Sequence, residues 1–461
     1  MTRNILHGTH VLKETEHTGG EESVGTFRSE ALKRFVIAGE KSYPPVFVGR
    51  EDILTEILRK ASLGFEQGTA PPGNTRIIQG APGAGKTSIL LELERRGQQG
   101  DHAPRTVVVT DVEIEQHLTN VLKSIALAAS TPRNAWIETV TQIGSYIGTR
   151  PGEISPFGFS ADIARLVENS PSADLYDLGT ILPASKWVHP VILAVDEAQR
   201  LRGETTTPSG HFLKSIHDAR QISLPLTLIF AGLGDTKDRI SEIGIANGAH
   251  AFHVGALEAC EQGDVVDGFC DHFGVEMGRQ RDRLHAFFEP TEGWPRHIYW
   301  AQRALAETLL DPAVEGHLDA IPDWTRIAQR RDRFRMGYCQ DRTSFEMERS
   351  CKLVGALLEF VALRNRKGQH VTFSDMGDHI NQCRRHFKEN GLPWVIPEKF
   401  GAGNAAVVHH LHHLIHQGAL ARQDGTGTYV CPIPSFRAYL TEQAHFTAND
   451  LRNIDHMMAH T

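Results

Sequence analysis

The sequence has 461 residues, of which 40% are apolar and 23% are charged. This length suits about three globular domains at roughly 150 residues each, and the composition excludes a disordered polymer, a collagen-like fibre and a small disulfide-rich scaffold. The 48 basic and 56 acidic residues give a net charge of −8, which argues against a protein that coats nucleic acid by bulk charge and leaves room for a local basic patch.

The N-terminal residues and the cysteines predict a cytoplasmic protein. Residues 1–22 are polar and lack the apolar run of a secretory signal, and no stretch reaches the roughly 18 apolar residues that a membrane helix needs. The six cysteines form no Cys-x-x-Cys pair, so neither a zinc ribbon nor a thioredoxin-type site is indicated. We therefore expect reduced, mostly buried thiols.

The first half of the chain is predicted to alternate between strands and helices. Residues 1–41 are expected to form a mobile arm with a short helix near residues 29–38. Beyond the arm, helical stretches separate short β-branched runs, and residues 132–185 are expected to be a helical insertion. Such an alternation is typical of an α/β fold with a parallel sheet that has helices on both faces. The predicted strands lie at residues 77–78, 106–110, 191–195 and 224–231.

The loop after the first strand matches a phosphate-binding pattern. Residues 80–87 have the sequence Gly-Ala-Pro-Gly-Ala-Gly-Lys-Thr, which fits G-x-x-x-x-G-K-[ST] in full. Glycines let successive backbone N–H groups hold phosphate oxygens, and the following helix adds its dipole. Lys86 would reach the β- and γ-phosphates of ATP, and the Thr87 hydroxyl would bind Mg²⁺. The predicted nucleotide-binding residues of this P-loop are Gly80, Pro82, Gly83, Ala84, Gly85, Lys86, Thr87 and Ser88.

The strand at residues 191–195 is followed by two adjacent acids, Asp196 and Glu197. In open α/β sheets, ligands bind at the carboxyl ends of the parallel strands. Asp196 is therefore predicted to bind Mg²⁺ from a second side, in addition to Thr87, and Glu197 to polarise the attacking water as the general base. Together with the P-loop, this acid pair predicts a nucleoside triphosphatase.

The second half of the chain begins with helices and ends in a different pattern. Helical periodicity covers about residues 257–310, and a strongly charged helix beyond Pro322 suggests a connector. From residue 351 onward the order is helix, short strand, helix, helix and then two short strands around a glycine-rich turn. This is the order of a winged helix-turn-helix, in which the third helix normally enters the major groove of DNA. Nearby, Arg384, Arg385 and Lys388 offer a modest basic patch.

The third of these helices, at residues 404–417, is rich in histidine. It contains no arginine or lysine, which weakens the readout of DNA bases. Three roles are open for its polar side: a solvated surface, a metal site built from i, i+4 pairs, and a nucleic-acid contact whose charge grows as the pH falls. Its histidines are His409, His410, His412, His413 and His416.

Four segments follow one another along the chain: Val48-Gly49-Arg50-Glu51, the P-loop, Asp196-Glu197-Ala198-Gln199 and Gly293-Trp294-Pro295-Arg296. In this order they resemble the motifs of AAA+ ATPases, and in particular the origin-recognition-like and STAND-like branch of small prokaryotic ATPases. The resemblance covers roughly residues 45–306. It implies that Val48 and Gly49 pack beside the adenine, that the acid pair serves Mg²⁺ binding and hydrolysis, and that Arg296 contacts the γ-phosphate from a helical lid as the sensor 2 arginine.

Two segments depart from the family pattern. The fourth strand continues into Gly232-Leu233-Gly234, without the Asn, Thr or Ser that usually orients the lytic water. Where relatives often carry an arginine that acts on a neighbour's nucleotide, this chain has Asn247, and Arg239 is the nearest basic substitute. Both departures imply slow hydrolysis, or a switch that responds to the nucleotide state.

The resemblance and the C-terminal pattern together predict an ATP- and Mg²⁺-dependent molecular switch whose nucleotide state controls assembly on double-stranded DNA. A homo-oligomer or a protein partner is expected, and no membrane. One alternative is a STAND-type signalling ATPase, for example in anti-phage defence, that oligomerises on a protein or ligand cue and uses the winged helix as a protein contact. Another is a transcription regulator that binds ATP without hydrolysing it. The predicted domains are the arm (1–41), the α/β core (42–256), the helical lid (257–325), the charged connector (326–350), the winged helix-turn-helix (351–443) and a C-terminal tail (444–461).

Overall fold

The computed structural model describes residues 27–39, 43–66, 75–99, 103–130, 187–201, 210, 212–213, 224–242, 244–245, 248–349, 353–391, 401–423 and 426–442. The chain divides into two compact units. We call Arg50–Val254 the sheet unit, and Met1–Gly49 together with Gly255–Thr461 the helical unit. The predicted insertion at 132–185, most of the predicted arm and the predicted tail lie outside the described residues.

The helices and strands follow the predicted order along the chain. The strands are β1 (Thr75–Gln79), β2 (Arg105–Thr110), β3 (Val191–Asp196), β4 (Leu226–Gly232), β5 (His250–His253), β6 (Val371–Thr372), β7 (Ala421–Arg422) and β8 (Thr428–Val430). The helices are α1 (Ser29–Ala38), α2 (Glu51–Glu66), α3 (Lys86–Gly97), α4 (Asp111–Ser130), α5 (Thr236–Glu242), α6 (Ala259–Phe273), α7 (Arg281–Phe288), α8 (Pro295–Leu309), α9 (Trp324–Arg349), α10 (Leu353–Arg366), α11 (Phe373–Glu389), α12 (Asn404–His416) and α13 (Pro434–Glu442).

The sheet unit is built on a parallel sheet with the strand order β2-β3-β4-β1-β5. Every residue of β1, β3 and β4 is buried, as expected of central strands covered on both faces. The α/β prediction is thus confirmed. Strand β5 was not predicted, because the strand has only four residues, His-Ala-Phe-His, and half of them are polar. Among the described strands it pairs only with β1.

The apolar core of the sheet unit fixes the register of the strands. Ile77 lies opposite Phe230, and Val195 lies opposite Phe230 from the other side, all three at most 1% exposed. Because burial of side chains of this size contributes about 1.5–3 kcal/mol each, a shift of register would be strongly disfavoured. The carboxyl ends of β1, β4 and β3 are therefore held side by side.

In the helical unit, α1 is a packed helix. Leu32 and Phe35 are buried, and the Phe35 ring lies 5.8 Å from the rings of both Phe269 and Phe273 on α6. The predicted mobile arm of residues 1–41 therefore needs correction over residues 29–38, because the apolar face of this helix is buried in the cluster formed by α6 and α8.

The end of the chain forms the expected winged helix. Helices α10, α11 and α12 come with an antiparallel sheet in the order β6-β8-β7, and α13 follows. The sequence alone predicts an N-cap at Ser374 and a helix from Asp375, but the second helix begins two residues earlier, at Phe373. The reason is a capping box, in which Asp375 N donates to Thr372 Oγ1 and Thr372 N donates to the Asp375 carboxylate.

The cysteines agree with the expectation of reduced thiols among the described residues. Cys270, Cys339, Cys383 and Cys431 are buried, Cys260 is exposed, and none of these five described cysteines forms a disulfide. Burial raises the pKa of the Cys270 and Cys431 thiols to about 12, which disfavours the reactive thiolate.

His379 on α11 is a buried histidine in the winged helix. Its ring stacks on Phe360 with 4.2 Å between the ring centroids and 11° between the planes. The guanidinium carbon of Arg364 also lies over the Phe360 ring, 5.4 Å from its centroid. Burial, and secondly the positive charge of Arg364, lower the pKa of His379 from 6.5 to about 4.

This low pKa predicts that the winged helix loses stability in mild acid. Above pH 6.5 His379 is neutral in the folded and the unfolded chain, but below it protons bind the unfolded chain first. The free energy of unfolding should fall by about 3 kcal/mol between pH 6.5 and 4 because of this one group. We expect His379→Phe to remove that part of the pH dependence in urea titrations at several pH values, and His370→Phe, at an exposed position, to retain it. Equal pH dependence in wild type and His379→Phe would contradict the account.

Candidate functional site

The P-loop connects β1 to α3 in the sheet unit, and its backbone conformation explains why glycine stands at several of its positions. Gly83 and Gly85 have φ values of +83° and +91°, which side chains rarely adopt. A Cβ on Gly80 would lie 2.5 Å from the carbonyl oxygen of Val254. A residue with a side chain would be strained or crowded at these positions, so the conformation of the loop depends on the glycines of the predicted pattern.

Lys86, the first residue of α3, closes the P-loop. Its Nζ donates hydrogen bonds to the carbonyl oxygens of Gly80 at 2.9 Å and Ala81 at 3.2 Å. An ammonium group offers three donors, and hydrogen bonds from a cation to phosphate oxygens are stronger than those to neutral carbonyls. The ammonium is thus already held over the loop by weaker partners that a phosphate can replace.

Thr87 and Asp196, the two predicted Mg²⁺ ligands, meet at the ends of α3 and β3. Thr87 Oγ1 donates to Asp196 Oδ2 over 2.7 Å. Adjacent ligands of an octahedral Mg²⁺ ion with bonds of 2.0–2.1 Å lie about 2.9 Å apart, and hydroxyl and carboxylate oxygens are donors that this hard cation accepts. The two side chains therefore fit a shared Mg²⁺, with its other positions left to water and phosphate.

Glu197 follows directly and is held in an unusual conformation. Its φ of +55° lies in the left-handed region, and its N–H donates to Asp196 Oδ1 over 2.9 Å. The carboxylate is 48% exposed and accepts a hydrogen bond from Gln199 Nε2 at 2.7 Å, with Arg200 Nε 3.5 Å away. The general-base candidate is thus oriented by its neighbours and remains accessible to water.

The end of β4 has no polar side chain of its own, as the sequence indicated, but two come to it from elsewhere. Gln199 Oε1 accepts a hydrogen bond from Leu233 N at 3.2 Å. A Cβ on Gly232 would clash with Gln199 Oε1 and with the hydroxyl of Thr236. Gln199 belongs to the tetrad that resembles the family, but no local sequence pattern indicates this contact, because its partner Leu233 is 34 residues away along the chain.

The predicted adenine contacts, Val48 and Gly49, belong to the helical unit and lie against α6. Val48 packs on the apolar cluster of that unit together with Leu257. Gly49 has φ +76°, and a Cβ there would lie 2.5 Å from Glu261 Oε1. A residue other than glycine at position 49 would therefore be strained and would displace Glu261, which caps α6 by accepting from Glu258 N.

Arg296, the predicted sensor 2 arginine, lies in the first turn of α8 in the helical unit. Trp294 is at the N-cap position of this helix and Pro295 is its first residue, as favoured by the fixed φ of proline. The guanidinium carbon lies 5.1 Å from the Trp300 ring centroid and 5.2 Å from that of Tyr338. These cation–π contacts orient the arginine within its own unit.

The remaining candidates are distributed as follows. Asn247 lies outside the described residues, and Arg239 lies on α5 with Nε 3.8 Å from Asp235 Oδ2.

On α12, His410 is buried, whereas His409 and His412 are exposed. In the described part of the chain, no group of three or more His, Cys, Asp or Glu side chains could hold a metal ion. Nor does any described helix have the length and apolar character needed to cross a membrane.

Comparison with known proteins identifies the fold. No protein-family model matches the chain, and no curated protein matches it in sequence. A Walker-type ATPase of Pyrococcus abyssi aligns with a TM-score of 0.50 and 16% identity over 88% of this chain and 99% of its own. The ORC2 protein of Aeropyrum pernix, solved in ADPNP–ADP complexes, aligns with a TM-score of 0.52 and 15% identity over 93% of this chain and 99% of its own. The chain therefore shares the fold of these two proteins, with a parallel α/β sheet flanked by helices, a helical domain and a C-terminal winged helix.

Proposed function

We propose that this protein is an ATP-binding switch that hydrolyses ATP slowly and whose nucleotide state controls assembly on double-stranded DNA. The observation that carries the proposal is the meeting of Thr87 and Asp196, 2.7 Å apart, beside a P-loop closed by Lys86. The fold shared with the Aeropyrum pernix protein, solved with ADPNP and ADP, supports ATP as the nucleotide.

Each residue of the sheet-unit site has a role that follows from its chemistry. The loop N–H groups and Lys86 hold the phosphates, and Thr87 and Asp196 hold Mg²⁺. When bound, Mg²⁺ would neutralise charge on the phosphate oxygens. Glu197 accepts a proton from the attacking water, because its carboxylate is accessible and fixed in direction. The missing polar residue at the end of β4 supports a slow rate.

Arg296 is proposed to sense the γ-phosphate, with Val48 and Gly49 beside the adenine. A hydrogen bond next to Arg296 supports a link from this arginine to the winged helix. Nδ1 of the following residue, His297, lies 2.6 Å from Oγ of Ser435 on α13. A change at Arg296 can therefore be passed to the C-terminal domain within one unit.

We expect Arg296→Ala to slow ATP hydrolysis by about tenfold or more and to weaken ATP binding less, because charge on the transferred phosphoryl group develops in the transition state. The measurement is the rate of phosphate release together with the ATP dissociation constant. Arg303→Ala, on the same helix, serves as the control and should behave as wild type. An unchanged rate in Arg296→Ala would remove its proposed role.

The winged helix is proposed to contact DNA mainly through phosphates. Arg384, Arg385 and Lys388 are exposed on α11, whereas α12 has no arginine or lysine for reading bases. Binding of this kind falls steeply with salt and depends little on sequence. The test is the affinity for a duplex DNA over a range of salt concentrations with ATP and with ADP. A marked difference between the nucleotides supports the proposal, and no DNA affinity in either state would contradict it.

A STAND-type signalling ATPase is the second candidate, and one observation favours it. Val408 on α12 is 51% exposed and is followed by His409, on a helix without arginine or lysine, which suits a protein contact. This candidate predicts oligomers that form with ATP in the absence of DNA, detected as a change of mass in solution. The DNA switch predicts a nucleotide-dependent change of mass only when DNA is present.

A further inference from the structure

The side chain of Gln199 bridges the ends of two neighbouring strands. Its Nε2 donates to Glu197 Oε2 over 2.7 Å, and its Oε1 accepts from Leu233 N over 3.2 Å. The orientation of the amide is unambiguous, because a carboxylate can only accept and a backbone N–H can only donate. The general-base candidate at the end of β3 is thus connected to the backbone at the end of β4.

The same backbone segment is tied to the P-loop from the other side. Gly80 N donates to Gly232 O over 3.2 Å, and Gln79 Nε2 donates to Gly234 O over 3.0 Å. Gln79 is the last residue of β1, and Gly80 is the first residue of the phosphate loop. Three consecutive residues, the last of β4 and the two that follow it, are therefore held between the loop and the general base.

The bridge is buried and closely packed. Gln199 is 6% exposed, and Gly232 leaves the space that its amide oxygen needs, because a Cβ there would lie 2.6 Å from that oxygen. The Glu197 carboxylate, in contrast, is 48% exposed. A side chain as long and as exposed as this one samples several rotamers unless a partner fixes it. Gln199 is a buried partner that restricts it.

We propose that Gln199 is a positioning residue for hydrolysis, which takes the place of the polar side chain that is missing from the end of β4. Its amide directs the Glu197 carboxylate through one oxygen and leaves the other oxygen to accept from water. Through Leu233 it fixes this direction relative to the P-loop. The inference rests on the proposed ATPase function, because a positioning residue requires a reaction.

The experiment compares ATP affinity with the rate of hydrolysis in single and double variants of the full chain. Gln199→Ala is expected to bind ATP within about twofold of wild type and to release phosphate about 10- to 100-fold more slowly, since the catalytic group is misdirected and the phosphate site is intact. Gln199→Glu should be as slow, because a carboxylate cannot donate to Glu197. Gln99→Ala, at an exposed position after α3, is the matched control and should behave as wild type.

A double variant tests whether the effect of Gln199 passes through Glu197. In the Glu197→Gln background, Gln199→Ala should cause no further loss of rate, because the group that it positions can no longer act. An additional loss of tenfold would show an independent role and overturn the proposal.

The remaining outcomes separate this inference from the proposed function. If Glu197→Gln abolishes hydrolysis and Gln199→Ala keeps the wild-type rate, the positioning role is overturned and the ATPase stands. If Gln199→Ala loses ATP affinity and rate together, its role is structural, and the inference is again overturned. If wild type releases no phosphate above the Glu197→Gln level, both the ATPase and the inference are overturned.

Discussion

Replacing Lys86 with alanine is expected to weaken ATP binding by about 100-fold or more. The ammonium lies over the P-loop, 2.9 Å from Gly80 O, and would exchange this carbonyl for phosphate oxygens. Hydrogen bonds to charged groups contribute about 1.5–3 kcal/mol each, and two of them correspond to a factor of roughly 100 or more in affinity. Hydrolysis should fall with the loss of binding.

Calorimetric titration with ATP and Mg²⁺ measures this directly. Lys33→Ala, which removes an exposed lysine on α1, is the control for the loss of one positive charge and should bind ATP as wild type does. Because Lys86 Nζ also donates a hydrogen bond to the carbonyl oxygen of Ala81, the thermal stability of the variant should be measured as well, to show that it is folded. A folded Lys86→Ala protein that binds ATP with wild-type affinity would contradict the assignment of the P-loop.

Replacing Glu197 with glutamine is expected to leave ATP binding intact and to reduce hydrolysis by about 100- to 1,000-fold. General-base catalysis contributes this much, and an amide cannot take up the proton of the attacking water. The change preserves size, so the left-handed backbone at position 197 and the N–H bond to Asp196 should remain. The variant should accumulate in the ATP-bound state.

Phosphate release and the ATP dissociation constant, measured on the same preparation, separate these two effects. Glu66→Gln, at the exposed end of α2, is the matched control for the loss of a carboxylate. A Glu197→Gln rate within threefold of wild type would show that another group acts as the base. Loss of ATP binding would show that position 197 is required for the structure of the site.

The sequence predicted the parts of the fold that depend on local patterns. The P-loop and the acid pair are continuous motifs, each next to a buried strand, and the strand order then brings Thr87 and Asp196 within hydrogen-bond distance. The winged helix could likewise be predicted from the order of its elements, although the start of α11 moved to Phe373 because Thr372 caps it.

The features that escaped prediction depend on tertiary contacts. Strand β5 is short and half polar, and it is defined by its pairing with β1. The packing of α1 on α6 depends on the contact between the rings of Phe35 and Phe269, which are more than 200 residues apart in the sequence. The bridge from Glu197 through Gln199 to Leu233 depends on β3 and β4 being neighbours. No spacing along the chain encodes these relations.

The most direct test of the central claim is the rate of phosphate release by the wild-type protein with Mg²⁺ and ATP, measured with and without duplex DNA. The account predicts slow release that clearly exceeds the rate of Glu197→Gln and that changes when DNA is added. Release no faster than that of Glu197→Gln, with DNA and without it, would contradict the claim that this protein is an ATP-hydrolysing switch acting on DNA.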